Sequence, residues 1–142
     1  MARILLIDDQ SAICDLLVTV LTTRGHTVRV APDGVQGLQA FAAHRPDLII
    51  TDLNMPAMDG LEVIALLQRE HPQVPVIVMS GGFGPDTDVY LDVATEFGAA
   101  AVLRKPFHLA AFLQAVDRAL GLRPPAEASA DPFAALPELV AV

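Results

Sequence analysis

Cysteine is nearly absent from this sequence of 142 residues, and its scarcity excludes several classes of protein. The single cysteine, Cys14, excludes an internal disulfide and fits a reducing compartment. Together with four scattered histidines, it gives no ligand spacing typical of zinc. Apolar runs stay well short of the roughly 20 residues that span a bilayer, and the N-terminus lacks a secretory signal pattern. We therefore expect a cytoplasmic protein that does not interact with membranes.

Positive charge is also scarce. Nine Lys and Arg residues stand against 17 Asp and Glu residues, which gives a formal net charge of −8. Such a surface is a poor partner for a nucleic acid or an anionic lipid surface, so we expect neither. Eight of the nine basic residues are arginine, and the remaining one is Lys105. Apolar residues are abundant, 53% against 18% charged, which is enough for the core of one domain.

Short apolar runs rich in Ile, Leu and Val alternate with stretches of helical spacing along residues 1–121. Such runs predict strands buried on both faces, and strict alternation with short connections predicts a parallel sheet with helices on both sides. We therefore predict an α/β fold with a doubly wound, five-stranded parallel sheet. Ligands of such sheets bind at the carboxyl edge of the strands. The predicted strands end at Ile7, Ala31, Asp52, Ser80 and Arg104.

The helical stretches carry apolar residues at spacings of three and four, as one buried face requires. Gly25 and Gly98 stand where a helix is expected to end in a glycine. Gly37 weakens the second predicted helix, because glycine has low helix propensity. The predicted core positions are Ile13, Leu16, Leu17, Val20 and Leu21 in the first helix, Val89, Tyr90, Val93, Ala94 and Phe97 in the fourth, and Leu109, Phe112, Leu113 and Val116 in the fifth.

Residues 122–142 form a Pro- and Ala-rich tail with the composition of a linker, so we assign the domain to residues 1–121. Within the tail, Phe133, Leu136 and Leu139 recur every three residues. This spacing predicts either a short docking helix or a disordered terminus. The tail is too short for an output domain, so we expect a stand-alone, single-domain protein.

Polar residues follow the ends of four predicted strands. Asp8 and Asp9 follow the first strand, Asp52 and Ser80 end the third and fourth, and Lys105 follows the fifth. Three carboxylates placed together resist ionisation unless a cation lies among them, and hard oxygen ligands suit Mg²⁺. A metal ion, a lysine and a hydroxyl around one carboxylate are suited to phosphoryl transfer with an aspartyl phosphate as product.

Each of these residues also has a purely structural interpretation. Asp9 could cap a helix that starts near Gln10, Ser80 could be a turn hydroxyl, and Lys105 could be a solvated surface charge. The functional interpretation rests on the combination, since these polar groups fall at the same end of four strands. Asp33, Asp59 and Asp86 are predicted to be ordinary caps or turn residues.

The sequence resembles the receiver domain of two-component response regulators. Three segments carry the resemblance in the order of the family: Ile4–Asp9 (ILLIDD), Ile49–Leu61 (IITDLNMPAMDGL) and Lys105–Phe107 (KPF). It covers about residues 2–121. The resemblance implies a flavodoxin-like (βα)5 fold with strand order 2-1-3-4-5.

The resemblance also implies a role for each matched residue. Asp52 would accept a phosphoryl group from a phosphohistidine of a histidine kinase or phosphotransfer protein. Lys105 would pair with the aspartates and then with the phosphoryl group, to which Ser80 would donate a hydrogen bond. The peptide bond before Pro106 is expected to be cis. The implied Mg²⁺ ligands are Asp8 (through water), Asp9, Asp52 and the backbone carbonyl of Asn54.

Two features depart from the family: no effector domain is attached, and the switch position differs. A Tyr or Phe that turns inward on phosphorylation usually lies three residues before this lysine, and here the position is Val102. Phe83, which follows Ser80 and two glycines, resembles a subgroup in which a loop aromatic is thought to take over the switch. The alternative is that Phe83 only packs on the fourth helix.

The expected output is binding of a partner protein through the fourth helix, fifth strand and fifth helix, or a role as phosphorelay or phosphate sink. We expect no enzymatic activity beyond the protein's own phosphorylation and dephosphorylation. An alternative is an aspartyl-phosphate phosphatase of the haloacid dehalogenase type, although that family has its nucleophile on the first strand, as Asp-x-Asp. A further alternative is a pseudo-receiver that binds partners without phosphorylation.

Overall fold

The strands and helices follow each other in the predicted alternation. The computed structural model describes residues 1–53, 60–81 and 92–121. All five strands end where the sequence predicts. The strands are β1 (Arg3–Ile7), β2 (Thr27–Ala31), β3 (Leu48–Asp52), β4 (Val76–Ser80) and β5 (Ala101–Arg104), and the helices are α1 (Ser11–Thr23), α2 (Gly34–His44), α3 (Gly60–Glu70), α4 (residues 92–96) and α5 (Leu109–Ala119).

The five strands form one parallel sheet in the order β2-β1-β3-β4-β5. The α/β class, the doubly wound sheet and the strand order 2-1-3-4-5 are therefore confirmed. The register places Ile7 opposite Thr51 and Ser80 opposite Arg104. The strand ends are thus nearly flush, and residues that follow them meet at one edge of the sheet.

Alternate residues of the central strands point into two separate cores, one on each face of the sheet. Ile4 and Leu6 pack with α1 and α5, whereas Leu5 and Ile7 pack with α2, α3 and α4. This alternation is the two-residue period of a strand, and it explains why the strand sequences are apolar throughout.

The edge strands differ from the prediction that every strand is buried on both faces. In β2 only Ala31 is fully buried, and Val30 is 42% exposed. The residues of β5 are half-buried or exposed. The prediction was wrong here because an edge strand has one neighbouring strand, and the adjacent helices cover the outermost strands less completely.

Two helices end just before the glycines that the sequence analysis named. Gly25 and Gly98 have φ angles of +90° and +102°, the left-handed conformation that glycine adopts without steric cost. Phe97, predicted to belong to the core face of the fourth helix, is instead 44% exposed. It lies just beyond α4, where the helical face has ended. The predicted core positions before residue 92 in this segment, together with the tail 122–142, lie outside the described residues.

No helix in the described ranges combines the length and hydropathy that crossing a bilayer requires. Among the predicted caps, Asp33 accepts a hydrogen bond from the backbone N–H of Gln36 at 2.8 Å and begins α2. Asp59 and Asp86 lie outside the described residues.

Gly37 has a packing role that its low helix propensity conceals. A Cβ at this position would lie 2.5 Å from Cδ1 and 2.9 Å from Cγ1 of the fully buried Ile7. The missing side chain lets α2 approach the sheet, so the glycine contributes to packing although it weakens the isolated helix.

We expect Gly37→Ala to lower the free energy of unfolding by about 1–2 kcal/mol, because overpacking outweighs the gain in helix propensity. Urea unfolding measures the change. Ile7→Val removes Cδ1, so the double variant should lose less stability than the two single changes add up to. Gln39→Ala, an exposed change on the same helix, is the control. A stabilising effect of Gly37→Ala would contradict the packing role.

Candidate functional site

The carboxyl edge of the sheet gathers the polar residues that the sequence placed at the strand ends. Asp8 directly follows β1, Asp52 ends β3, Ser80 ends β4 and Lys105 follows β5. All four are buried, each with less than 10% of its surface exposed. Because β1 and β3 are neighbours in register, Asp8 and Asp52 lie side by side.

Lys105 joins the carboxylates of β1 and β3. Its ammonium Nζ lies 3.0 Å from Oδ2 of Asp52 and 3.2 Å from Oδ2 of Asp8. A third contact runs to Oε1 of Gln10, at 3.3 Å. The structural alternative of a solvated surface lysine is therefore wrong, since the side chain is buried against two carboxylates.

Three carboxylates converge beside this lysine. Asp8, Asp9 and Asp52 each offer an oxygen, and the three atoms all lie within 4.8 Å of one another. Asp9 is exposed, so the cluster opens to solvent on its side. The cap of α1 is Gln10, so the alternative that Asp9 caps this helix is wrong. The arrangement gives a divalent cation an approach from water and oxygen ligands around it.

Burial and charge act in opposite directions in this cluster. Burial raises the pKa of Asp8 above its usual range, and the nearby Asp52 carboxylate adds to that effect. The Gln10 backbone N–H and the Lys105 ammonium oppose the shift without cancelling it. For Lys105, burial favours the neutral amine, but the carboxylates of Asp52 and Asp8 outweigh it and raise its pKa. Lys105 therefore stays charged at neutral pH, whereas ionised Asp8 is held at a cost.

The backbone holds Lys105 in place. Its N–H donates to the Ser80 carbonyl at 2.6 Å, which continues the β4–β5 ladder to the edge. The peptide bond between Lys105 and Pro106 is cis, as predicted. At Gly81, a Cβ would lie 3.4 Å from Cδ of Lys105, so the residue after Ser80 borders the lysine stem.

Three neighbours of the site were not singled out from the sequence. Gln10 contacts Lys105 and, through its backbone N–H, donates to Oδ1 of Asp8 at 2.9 Å. Cys14 places its thiol 3.5 Å from the Asp8 carbonyl, and burial raises its pKa to about 11, so it stays a thiol. The Thr51 hydroxyl donates to the Asp52 carbonyl. Of these three residues, Gln10 could have been identified from the sequence, because it directly follows the acidic pair.

The predicted switch residues are only partly described. Ser80 is buried at the end of β4, and Val102 is half-buried in β5, opposite Val78, against the core that α2, α3 and α4 share. Asn54 and Phe83 lie outside the described residues, so their predicted roles stay predictions.

Comparison with known proteins matches most of this chain to one family of domains and to solved structures. A model of the family described as "Response regulator receiver domain" matches residues 4–117. A receiver domain protein from Clostridium thermocellum has a crystal structure that superposes with a TM-score of 0.78 at 30% identity. That match covers 85% of this chain and 95% of the other.

Two curated relatives are longer than this chain. The transcriptional regulatory protein GlrR of Escherichia coli is 37% identical over 126 residues, covering 88% of this chain and 28% of the relative. The transcriptional regulatory protein PrrA of Mycobacterium tuberculosis is 36% identical over 121 residues, covering 85% of this chain and 51% of the relative. The chain thus spans about a quarter to a half of these relatives. The expectation of a stand-alone, single-domain protein is not supported.

We expect Asp8→Asn to raise the free energy of unfolding at neutral pH by about 1 kcal/mol, because it removes a buried charge held at a cost. A raised native pKa means that the wild type gains stability relative to the variant as pH falls. The advantage of the variant should therefore shrink below neutral pH, through the raised pKa of Asp8 and down to the ordinary carboxyl range.

Thermal or urea unfolding across this pH range measures the effect. Asp15→Asn is the matched control, since it removes the same charge from an exposed position on α1. Loss of stability in Asp8→Asn at neutral pH, or a difference that does not change with pH, would contradict the electrostatic account.

Proposed function

The chain belongs to the response regulator receiver domain family, and on that premise we propose that it accepts a phosphoryl group on Asp52 from a phosphorylated histidine of a histidine kinase or phosphotransfer protein. One observation carries the proposal: Asp52 lies 3.0 Å from the Lys105 ammonium, inside a cluster of three carboxylates at the carboxyl edge of the sheet. Asp52 thus has a cation beside it and further acidic ligands around it.

The proposed transfer is a substitution at phosphorus. An oxygen of the Asp52 carboxylate attacks the phosphorus atom, the P–N bond to the imidazole breaks, and its electron pair stays on the imidazole nitrogen. Lys105 orients the acceptor carboxylate before transfer and neutralises phosphoryl oxygen charge after it. Ser80 ends the neighbouring strand β4, and its hydroxyl is proposed to donate to a phosphoryl oxygen.

The donor set fits Mg²⁺. Asp8, Asp9 and Asp52 offer three hard oxygen ligands within 4.8 Å of one another, against one ammonium. The excess negative charge and the raised pKa of Asp8 are what a dication would relieve. We propose that these residues, with the backbone carbonyl of Asn54, hold the ion. When bound, Mg²⁺ supplies positive charge to the phosphoryl oxygens.

The proposed output is a change of shape passed to a partner. Phosphorylation replaces the single negative charge of the Asp52 carboxylate with a phosphoryl group that carries close to two and offers strong acceptors at the strand ends, and it would draw Lys105 and Ser80 towards it. β5 connects directly to Lys105, and α5 follows within a few residues. The surface of the fourth helix, β5 and α5 is therefore the proposed face for a histidine-kinase-controlled partner or relay protein. We propose no catalysis of an external reaction beyond the domain's own phosphorylation and dephosphorylation.

Incubation with a small acyl phosphate and Mg²⁺ should add the mass of one phosphoryl group, and Asp52→Ala should abolish it. Removal of the metal with a chelator should reduce labelling strongly, because three carboxylates converge at the site and one ammonium, that of Lys105, is paired with two of them. Intact-protein mass spectrometry measures the product. Asp15→Ala, an exposed acidic position outside the cluster, should label like the wild type. Labelling that persists in Asp52→Ala would overturn the assignment of Asp52 as the acceptor, whereas a wild type that never labels would favour the pseudo-receiver alternative.

We expect Lys105→Arg to fold and to accept phosphate, yet to lose the response of the domain to phosphorylation. A compact ammonium can change partners between aspartate and phosphoryl oxygen, whereas the rigid guanidinium fork fits this site poorly. Hydrogen exchange of the segments around Ser80 and Lys105, with and without phosphorylation, measures the response. Arg104→Lys makes the reverse exchange at an exposed neighbour and should respond normally. A normal response in Lys105→Arg would show that the ammonium is not required.

A further inference from the structure

The Lys105 ammonium has three N–H donors and no acceptor, and the structure supplies one acceptor for each. Two are the carboxylate oxygens of Asp52 and Asp8, at 3.0 and 3.2 Å. The third is the side-chain oxygen of Gln10, at 3.3 Å. Among the partners of the lysine in the described part of the chain, Gln10 is therefore the one uncharged group.

The position of Gln10 explains why its side chain is available. It is the residue that caps α1, with extended backbone angles of φ −92° and ψ 100°. A capping side chain usually accepts from the first turn, but within the described residues the side chain of Gln10 makes no such bond and contacts Lys105 instead. Its backbone N–H meanwhile donates to Oδ1 of Asp8. One residue thus holds both members of the Asp8–Lys105 pair.

Phosphorylation of Asp52 requires Lys105 to direct a donor to a phosphoryl oxygen, and all three donors already have partners. The Gln10 contact is the longest of the three, has a neutral acceptor and lies on an exposed residue. It is therefore the contact that costs least to break.

We propose that Gln10 is a positioning residue that holds Lys105 against the two aspartates before phosphorylation and releases it afterwards. The contact with Gln10 stabilises only the unphosphorylated arrangement. The strength of this hydrogen bond therefore sets how readily Lys105 moves to the phosphoryl group. This inference rests on the proposed function of Asp52. Gln10, the residue after the acidic pair, would then influence what fraction of the protein is phosphorylated.

The chain offers an unusually direct test, because Lys105 is its single lysine. A small acylating reagent, used without any phosphodonor, reports on Lys105, and the N-terminal amine serves as internal reference in peptide mass mapping. Gln10→Leu removes the acceptor and should raise the acylation rate of Lys105 by about three- to tenfold, as expected for loss of one long, part-buried hydrogen bond of ordinary strength. Gln10→Glu adds a carboxylate and should lower the rate severalfold.

The same variants are then treated with a small acyl phosphate and Mg²⁺. Gln10→Leu should reach a higher phosphorylated fraction than the wild type, and Gln10→Glu a lower one. Gln39→Leu, an exposed glutamine on α2, controls for the substitution itself and should match the wild type in both assays. Gln10→Ala repeats the loss of the acceptor should the leucine variant fold poorly, which circular dichroism detects.

Acylation and phosphorylation that both follow the order Leu, Gln, Glu would support the proposal. Equal acylation rates in all variants would overturn the contact. An acylation order without a matching change in phosphorylation would overturn the release step. If no variant, wild type included, takes up phosphate while the acylation order holds, the proposed function itself fails and the contact has only a structural role.

Discussion

The ion pairs that Lys105 makes with Asp8 and Asp52 are the interaction on which the rest of the site depends. Three carboxylates meet at one edge of the sheet, and within the described residues one ammonium is paired with two of them. The parallel strands are nearly in register, so residues that follow neighbouring strands lie close together at the carboxyl edge of the sheet. The fold thus concentrates negative charge, and the lysine makes that concentration tolerable.

The concentration of negative charge at this edge lowers the stability of the folded protein. Burial raises the pKa of Asp8, so the ionised form is held against its preference. A metal ion or a new anion at this edge therefore acts on buried groups whose charge state and pairing are sensitive to an added charge. The two cores on either face of the sheet supply the stability that offsets this cost, and α2 reaches the sheet closely because Gly37 has no side chain.

The prediction of strand ends succeeded because each central strand is buried on both faces, and such strands are apolar throughout and stop at polar residues. The prediction that every strand is buried on both faces failed for β2 and β5, because the composition of a strand does not reveal its position in the sheet. Phe97 fits the helical spacing of the fourth helix, yet it lies beyond the end of α4 and is exposed. Gly37 counted against α2 by propensity, although tertiary packing requires it there.

The sequence by itself determined the alternation of strands and helices, the acidic pair, the aspartate of β3 and the lone lysine, because local periodicity and strand-end chemistry are properties of the chain. The tertiary structure decided which of these groups touch. Only the register of the sheet brings Asp52 within 3.0 Å of Lys105, and only the turn into α1 sends the Gln10 side chain to the same ammonium instead of to the helix cap. Contacts between residues about 50 to 100 positions apart depend on how the strands are ordered, and no local pattern carries that information.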